Sequence, residues 1–497
     1  LLIGLIWQYL SDDTRQVGIV HVMERLAYHQ GNLPLRNSIA QFAGVTLCML
    51  FGHSIGREGP GAHLGATSGS LLSNWLHLPN NGRRTLVACG VAAAIAASFN
   101  TPLAGVIFSM EVVMMEYTVL SFAPVILAAV IATTLTQVVF GGAPVFSIPG
   151  TQLGSLLELP VILATGILLG CLAALYIHLL QRSTSLSSSL PVWLRCTLGG
   201  TLVGVIALAV PEVMGIGYDT VNQALIGELG LMALLTITFA KILATALGLG
   251  LGLPGGLIGP TLVIGAVAGG AVGIAADTWL PVEIATPAFY ALIGMGTVMG
   301  ATLQAPLAAL TAMLELTGNP HIIMPGMLAL IAAMLVSREI FGKESAFVEM
   351  IRSRGLDYSD DPVKQKLLRV GVASAMERRV ETLPALADTA RVAEALASEP
   401  QWILVTADKV PVSLMPAADL ARHMQGDNVA DVIDLNEIPA ERQDVTAVDF
   451  QATLHEALDA LEVSGMEALY VTRRTIPGLS RIYGIVTRSD INRHYTV

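Results

Sequence analysis

Charged side chains are scarce in this sequence. Only 13% of its 497 residues are Asp, Glu, Lys or Arg, whereas an ordinary soluble domain carries about 25%. Hydrophobic residues make up 53% of the chain, and its mean hydropathy is +0.65. This composition excludes a wholly soluble protein and indicates an integral membrane protein with the lipid bilayer as its surroundings.

Cysteine and a surplus of basic residues are also lacking. The four cysteines (Cys48, Cys89, Cys171 and Cys196) form no CxxC pair. A structural zinc site and a disulfide framework are therefore not expected, and no metal site is predicted. The net charge of −11 argues against a nucleic-acid partner.

The few charges are unevenly distributed. Of 65 charged side chains, 39 lie between Glu349 and Val497. We therefore predict a membrane domain over 1–355, a linker over 356–369 and a soluble tail over 370–497. The opening "LLIGLIWQYL" is too short to span a bilayer and has no basic leader, so we expect the sequence to begin inside a longer chain with a truncated N-terminus.

Long apolar stretches are present, but glycine and proline interrupt many of them. The stretches lie at 38–51, 118–140, 156–180, 194–210, 229–251, 262–276 and 322–336. A clean helical span needs about 20 residues, and the chain contains 48 glycines. This pattern predicts an all-α polytopic fold with broken and re-entrant helices, which a membrane tolerates where they line a cavity.

An internal repeat divides the membrane domain. "REGPGAHLGA" (57–66) aligns with "LIGPTLVIGA" (257–266), and "TPLAGVIFSME" (101–111) aligns with "APLAALTAMLE" (305–315). The order and the offset of about 200 residues are kept, so we predict homologous halves over about 1–190 and 191–355. Paired halves with matching helix breaks favour a transport site at the interface between the repeats.

The repeated GP segments predict a pair of anion-binding helix ends. "GREGP" (56–60) and "GLIGP" (256–260) each place glycine before proline, which suits a loop that enters the first turn of a helix. Helix N-termini carry free N–H groups and a positive dipole end, and therefore bind anions. The alternative is that glycine and proline only allow close helix packing.

Within these segments, Glu58 is the strongest candidate for a functional side chain. A carboxylate at an anion-binding helix end imitates the anion, and its protonation releases it. One side chain then serves as gate and proton carrier. The alternative is an interfacial glutamate that pairs with Arg57.

The sequence resembles the CLC family of chloride channels and transporters. The resemblance rests on GREGP, "FNTPLAGVIFSMEV" (99–112), "GLPGGLIGPTLVIGA" (252–266) and "APLAALTAMLELTGN" (305–319). It implies two inverted halves and a homodimer with one anion pathway in each subunit. It also implies that Glu58 is the gating glutamate. The pathway residues that it implies near the helix ends are Gly56, Arg57, Gly59, Leu257, Ile258 and Gly259.

Several positions depart from the family pattern. The family's GSGIP block corresponds to "QVGIV" (16–20), where Val17 replaces serine beside Gly18. Its pore tyrosine corresponds to Phe347, which lacks the hydroxyl donor. The phenylalanine of its GxFxP block is Ile258. Its internal proton-transfer glutamate corresponds to Ala143 or Pro144, so coupled proton delivery is in doubt.

The tail contains a second, shorter repeat. We place its units at 370–436 and 437–497, each read as helix, strand, strand, helix. "RIYGIVTRSDI" (481–491) resembles the end of a CBS domain, which implies a cytoplasmic, α+β CBS pair. The resemblance also implies ATP or another adenine nucleotide near Thr487 and Asp490. The alternative is a scaffold that only supports the dimer.

These observations predict a multi-pass membrane protein, expected in a bacterial inner membrane, that transports chloride or a similar anion. Proton-linked antiport is favoured because Glu58 is retained. The alternative is a passive, voltage- or pH-gated anion channel, and fluoride selectivity is less favoured. Chloride is the expected bound ligand, and the membrane domain is expected to need no cofactor. An enzyme that uses Glu58 and Arg57 lacks a nearby nucleophile, and a nucleotide sensor on an inert anchor leaves the repeated helix breaks unexplained.

Overall fold

A computed structural model describes residues 1–115, 119–142, 146, 152–187, 189–280, 284–356, 366–368, 370–407, 410–426, 430–476 and 479–494. The chain divides into two compact units. The first contains 1–76 and 83–358, and the second contains 77–82 and 359–497. The predicted Ala143 and Pro144 lie outside the described residues, as does most of the predicted linker.

The first unit is helical. The helices of its first half are α1 (Leu2–Tyr9), α2 (Gly18–Tyr28), α3 (Leu35–Leu50), α4 (Glu58–Trp75), α5 (Asn80–Phe99), α6 (Pro102–Phe108, continued by a π-helical turn Ser109–Met114), α7 (Val119–Phe140) and α8 (Leu159–Ser187). Those of its second half are α9 (Val192–Ala209), α10 (Tyr218–Leu225), α11 (Leu231–Gly250), α12 (Ile258–Trp279), α13 (Pro287–Leu303), α14 (Pro306–Thr317), α15 (Ile323–Leu335, continued by a π-helical turn Val336–Ile340) and α16 (Ala346–Arg352). Short 3₁₀ turns lie at Leu156–Glu158, Pro211–Val213 and Pro320–Ile322.

Six helical segments of the described chain are long and apolar enough to cross a membrane. They are Ser121–Phe140, Leu156–Ser187, Val192–Ala209, Leu231–Gly250, Ile258–Trp279 and Pro320–Ile340. The predicted apolar segment at 38–51 lies on α3, which has only 16 residues. At 1.5 Å per residue such a helix is shorter than the hydrocarbon core of a bilayer. The polytopic, broken-helix fold predicted from the sequence is confirmed.

The repeat is visible in the backbone. Asn100 and Gln304, which lie before α6 and α14, both adopt the left-handed conformation, with φ values of 59° and 54°. Glycines bring equivalent helix pairs into close contact: a methyl group on Gly65 would overlap the carbonyl group of Gly90, and one on Gly265 would overlap that of Gly294. Small residues allow this approach of helix backbones within a membrane. Glycines at equivalent positions in the two halves therefore allow the same close packing of two helices.

The second unit is an α+β fold. Its strands are β1 (Val380–Pro384), β2 (Leu386–Asp388), β3 (Trp402–Ala407), β4 (Val410–Pro416), β5 (Val432–Asp434), β6 (Gln443–Asp449), β7 (Ala468–Ile476) and β8 (Leu479–Thr487). Its helices are α17 (Val372–Ala375), α18 (Thr389–Ala397), α19 (Ala417–Met424), α20 (Leu454–Ser464) and α21 (Arg488–Asn492).

The strands of this unit repeat one motif. The main sheet has the order β1-β3-β4-β6-β7-β8, and β2 pairs with β5. Strands β1 and β3 are parallel and β3 and β4 antiparallel, and β6, β7 and β8 repeat this arrangement. The helix–strand–strand–helix order predicted for each unit is present as α18-β3-β4-α19 and as α20-β7-β8-α21. Apolar residues from α20, β7 and β8 form the core of the second repeat.

Candidate functional site

The two GP segments meet in space. The backbone N–H of Gly56 donates to the carbonyl oxygen of Gly256 with an N···O distance of 2.7 Å, and Gly256 returns the bond at 2.8 Å. Helices α4 and α12 begin two residues later, at Glu58 and Ile258. The antiparallel bridge therefore holds the two helix ends side by side.

A third helix end belongs to the same region. Helices α2, α4 and α12 begin after Val17, Arg57 and Leu257, and within the described chain none of these residues caps its helix through a side-chain hydrogen bond. The first N–H groups of a helix have no partner inside the helix and carry the positive end of its dipole. The residue that usually supplies a capping acceptor therefore supplies none at these three ends.

The Glu58 side chain lies between the paired segments. It is fully buried. A methyl group on Gly259 would come within 3.0 Å of its Oε2 atom and 3.2 Å of its Oε1 atom, and one on Gly56 would overlap Oε2. Glycine at these two positions therefore makes the space that the carboxylate fills, and the carboxylate reaches the first turn of α12 from its own helix.

The hydrogen bonds of this carboxylate are asymmetric. The hydroxyl of Tyr218, at the start of α10, donates to Oε1. The Oε2 atom is buried and has no hydrogen-bond partner among the described residues. A buried acceptor without a donor is costly, so Glu58 is held in an environment that only partly satisfies it.

A cavity of about 510 Å³ contains five of the predicted pathway residues. Its walls include Val17 and Gly18 at the start of α2, Gly59 on α4, Leu257 before α12, and Phe347 on α16. The walls come from both halves of the repeat. A cavity therefore lies at the interface between the repeats, where the transport site is predicted, and Gly59 connects it to the turn that carries Glu58.

The other predicted residues have different positions. Gly56 and Gly259 enclose the Glu58 carboxylate, and Ile258 is buried at the first position of α12. The Arg57 side chain is exposed, and its Nη2 atom donates to the carbonyl oxygen of Ser98 at 3.2 Å, near the end of α5. Arg57 therefore contributes its backbone to the start of α4, while its guanidinium points to a different helix end.

Three arginines that the sequence analysis did not single out line the cavity: Arg15, Arg195 and Arg354. Arg15 pairs with Asp12 at 2.8 Å, and Arg354 pairs with Glu24 at 3.0 Å. The three arginines lie far apart in the sequence, so no local sequence pattern predicts that they line one cavity. Asp12 also lines the cavity, so its charged lining contains three cations and one anion, an excess of positive charge that favours anions.

Tyr218 is a fourth residue that sequence reasoning missed. Its ring centroid lies 6.4 Å from that of Phe99 and 5.4 Å from that of Phe146, the latter in an edge-on arrangement. The 200-residue offset of the repeat places it opposite Gly18, at the start of the helix that corresponds to α2. This symmetry is the one signal in the sequence that marks the position.

Each of the two acids that end the PLA blocks caps the start of a helix in the other half of the repeat. The carboxylate of Glu111 accepts from the N–H groups of Leu307 (3.1 Å) and Ala308 (2.6 Å) at the start of α14. The carboxylate of Glu315 accepts from Leu103 (2.9 Å) and Ala104 (2.7 Å) at the start of α6. This reciprocity is the pattern that two-fold symmetry produces, and it gives both acids a structural role at helix ends.

Lys241 and His63 also have structural partners. The Lys241 ammonium is buried and donates to the carbonyl oxygens of Val213 and Gly215, both at 2.9 Å. His63 Nε2 lies 2.9 Å from Nδ1 of His21. Among the described residues, no group of three or more His, Cys, Asp or Glu side chains is placed to hold a metal ion.

In the second unit, Thr487 and Asp490 form a capping box. The Thr487 hydroxyl donates to Asp490 Oδ2 at 2.7 Å, and the Thr487 N–H donates to the same oxygen at 3.0 Å. A cavity of about 650 Å³ beside them includes Thr487, Arg488 and Ser489 in its walls. Both predicted nucleotide ligands therefore already close the first turn of α21, and their role toward a nucleotide stays a prediction.

Comparison with known proteins matches the first unit to a transport family. The family described as Voltage gated chloride channel matches residues 1–338. A "Putative chloride channel protein ClcB-like" from Ralstonia nicotianae is 34% identical over 343 residues, which are 68% of this chain and 80% of that protein. An "H(+)/Cl(-) exchange transporter ClcA" from Vibrio cholerae serotype O1 is 31% identical over 301 residues. These are 59% of this chain and 64% of that protein, slightly under two thirds of its length.

Solved structures share the fold. A slow cyanobacterial Cl⁻/H⁺ antiporter superposes with a TM-score of 0.63 at 24% identity, over 71% of this chain and 84% of that chain. A eukaryotic CLC transporter superposes with a TM-score of 0.60 at 18% identity, over 98% of this chain and 87% of that chain. The second likeness extends over both units.

Proposed function

Because this integral membrane protein belongs to the CLC family, named for voltage gated chloride channels, we propose that it carries chloride across the membrane and that Glu58 is its gate. One observation carries the proposal. A fully buried carboxylate fills the space between two bridged helix N-termini, next to a cavity lined by both halves of the repeat. A carboxylate at a helix N-terminus occupies the position that suits an anion.

The cavity supplies the remaining parts of an anion path. Val17 and Phe347 contribute no hydroxyl donor to it, so the backbone N–H groups at the helix ends coordinate the anion. Dipoles and N–H groups bind an anion without the full countercharge of a buried cation. This weak coordination suits passage, since an ion must leave its site as well as enter it.

Protonation of Glu58 opens the path in this account. The carboxylate competes with chloride for the helix ends only while it is charged, and the protonated acid no longer resembles an anion. A cycle in which the proton arrives from one side and leaves to the other couples chloride to protons, as in the exchangers among the relatives. The substitution of the internal proton-transfer acid, expected at Ala143 or Pro144, favours the second candidate, a passive anion channel.

Purified protein in liposomes distinguishes these candidates. A chloride gradient is imposed, and chloride and internal pH are recorded together. Chloride flux that drives protons against their gradient supports exchange, whereas chloride flux without proton movement supports a channel. No flux of any halide, beside an active CLC exchanger reconstituted in parallel, contradicts the proposal.

The transport names of the relatives favour this function over the membrane enzyme considered from the sequence. We further propose a homodimer with one pathway in each subunit, which light scattering of the purified protein tests.

For the tail, we propose ATP or another adenine nucleotide as ligand on the strength of its two-repeat fold and the cavity beside Thr487. Calorimetry with ATP tests this proposal. Absence of heat at millimolar nucleotide favours a scaffold.

A further inference from the structure

Tyr218 touches the proposed gate from the opposite half of the repeat. Its hydroxyl donates to Oε1 of Glu58, while Oε2 has no hydrogen-bond partner in the described part of the chain. The carboxylate therefore depends on this hydroxyl in the conformation described here. Neither the GP segments nor the predicted pathway includes Tyr218.

The ring of Tyr218 is fixed by its neighbours. Phe146 meets it edge-on and Phe99 lies against it at a tilt, with centroid distances of 5.4 and 6.4 Å. Aromatic contacts of this kind restrict the ring to a small range of positions. The hydroxyl is thereby directed toward Glu58 by packing that does not involve Glu58.

The backbone before Tyr218 is also anchored. Gly217 adopts a φ of 92°, which favours glycine, and a methyl group there would lie 3.3 Å from Nζ of Lys241. That ammonium binds the carbonyl oxygens of Val213 and Gly215. The buried lysine therefore sets the path of the segment that delivers the phenol to the gate.

We propose that Tyr218 is a positioning residue that holds Glu58 in its closed place, so that the phenol hydroxyl sets how readily the gate opens. This inference rests on the proposed function, because it requires Glu58 to be the gate. A hydrogen bond to an ionised acceptor is stronger than one to a neutral acceptor. The Tyr218 contact therefore stabilises the closed gate while Glu58 is charged and weakens when Glu58 is protonated.

Glu58 is the acid at this contact, and the charged groups around it have other partners or lie at the surface. Arg57, the adjacent cation, directs its guanidinium to the carbonyl oxygen of Ser98. Asp219, the next residue on α10, is exposed. Helix α12 contributes Gly259 at the contact, and the rings of Phe99 and Phe146 lie against the phenol. The buried Lys241 of α11 lies beside Gly217 and donates to two backbone carbonyl oxygens.

The Tyr218→Phe variant tests the proposal, since it keeps the ring and removes only the hydroxyl. Chloride flux in liposomes is measured from pH 4.5 to 8 for the parent and the variant. Loss of one hydrogen bond to a charged group shifts the open-to-closed ratio by roughly tenfold. We expect a several-fold higher flux at pH 7.5 and a rise of flux with acidification that begins at higher pH than in the parent.

Two comparisons separate gating from general damage. In a Glu58→Ala background the substitution at Tyr218 should have no further effect, because the group that it positions is gone. Tyr290→Phe is the matched control, because Tyr290 also donates to a buried carboxylate, that of Glu158 at 2.7 Å, away from the gate. It should leave the pH profile unchanged.

Two results would overturn the inference: a parent-like pH profile for Tyr218→Phe, or an effect that persists without Glu58. If the phenylalanine variant does not fold, Glu58→Asp, which withdraws the carboxylate from the phenol, should show the same shift, and a parent-like profile there overturns the inference as well. A parent that carries no chloride, or a Glu58→Ala variant identical to the parent, contradicts the proposed function instead.

Discussion

Gly56 and Gly256 exchange two backbone hydrogen bonds, with N···O distances of 2.7 and 2.8 Å. They occupy equivalent positions in the two halves, 200 residues apart in the sequence. The bond pair joins the segments that lead into α4 and α12, and therefore sets the distance between the two helix ends.

Gly256→Ala is expected to break this pair. The added methyl group would lie 2.9 Å from the nitrogen of Gly59 and 3.0 Å from the carbonyl oxygen of Gly56, both rigid backbone atoms. Overpacking of this kind costs about 1–3 kcal/mol. We expect a lower unfolding temperature in detergent and at least a tenfold loss of chloride flux. Gly204→Ala, where an added methyl group would meet no atom within 4 Å outside the nearby backbone of its own helix, should change neither quantity, and an equal loss there would contradict the explanation.

Glu111→Gln and Glu315→Gln should lower stability without altering the mechanism. Each carboxylate accepts two N–H groups at the start of a helix in the other half. A helix cap of this kind is worth about 0.5–2 kcal/mol, and the neutral amide retains only part of it. We expect similar losses of thermal stability for both variants and a parent-like pH dependence of flux per folded molecule. A changed pH dependence in either variant would assign that acid a transport role.

Arg195→Gln should reduce chloride flux most strongly at low ionic strength. Arg195 lines the cavity, and the described residues contain no ion pair to it, whereas Arg15 and Arg354 are paired. Long-range attraction of anions is screened within about 10 Å at 0.1 M salt. We expect a several-fold loss of flux at 10 mM chloride and little loss at 300 mM. Arg36→Gln, an exposed change outside the cavity, is the control, and a salt-independent loss at position 195 would indicate a structural role.

Phe347→Tyr and Val17→Ser should strengthen anion binding. Both side chains face the cavity, and both changes add the hydroxyl that the family pattern has there. One hydrogen bond is worth about 1 kcal/mol, or roughly fivefold in the dissociation constant. Calorimetric titration of the purified variants with chloride measures the effect. Val17→Ala, which adds no donor, controls for the change in size, and equal affinities of the Ser and Ala variants would contradict a hydroxyl contact to the anion at position 17.

The sequence predicted the features of the fold and the site that occur in both halves of the internal repeat. The offset between the two GP segments predicted that α4 and α12 share a site, and the bridge between Gly56 and Gly256 places them together. The matched PLA blocks marked Glu111 and Glu315 as equivalent positions, although not that each acid caps a helix of the opposite half. Positions 17 and 347 came from family resemblance and line the same cavity.

Other residues of the site could not be predicted from the sequence, because their positions depend on the tertiary fold. Arg15 precedes α2, Arg195 lies in the first turn of α9 and Arg354 follows α16. Only the tertiary fold brings these three segments to one cavity, and such long-range proximity has no local signature. The resemblance implied Arg57 in the pathway but gave no position for its side chain, which donates to the carbonyl oxygen of Ser98 near the end of α5. Tyr218 is the first residue of α10, a helix of only eight residues, and only the symmetry of the repeat marks it.

The most direct test of the account is the pH dependence of chloride flux in the Glu58→Gln variant. The amide keeps the size of the side chain but carries no charge and cannot titrate. The account predicts that parent flux rises as the pH falls from 8 to 4.5, whereas flux through Glu58→Gln does not depend on pH and drives no protons. A variant that retains the parent's pH dependence or its proton movement contradicts the assignment of Glu58 as the gate.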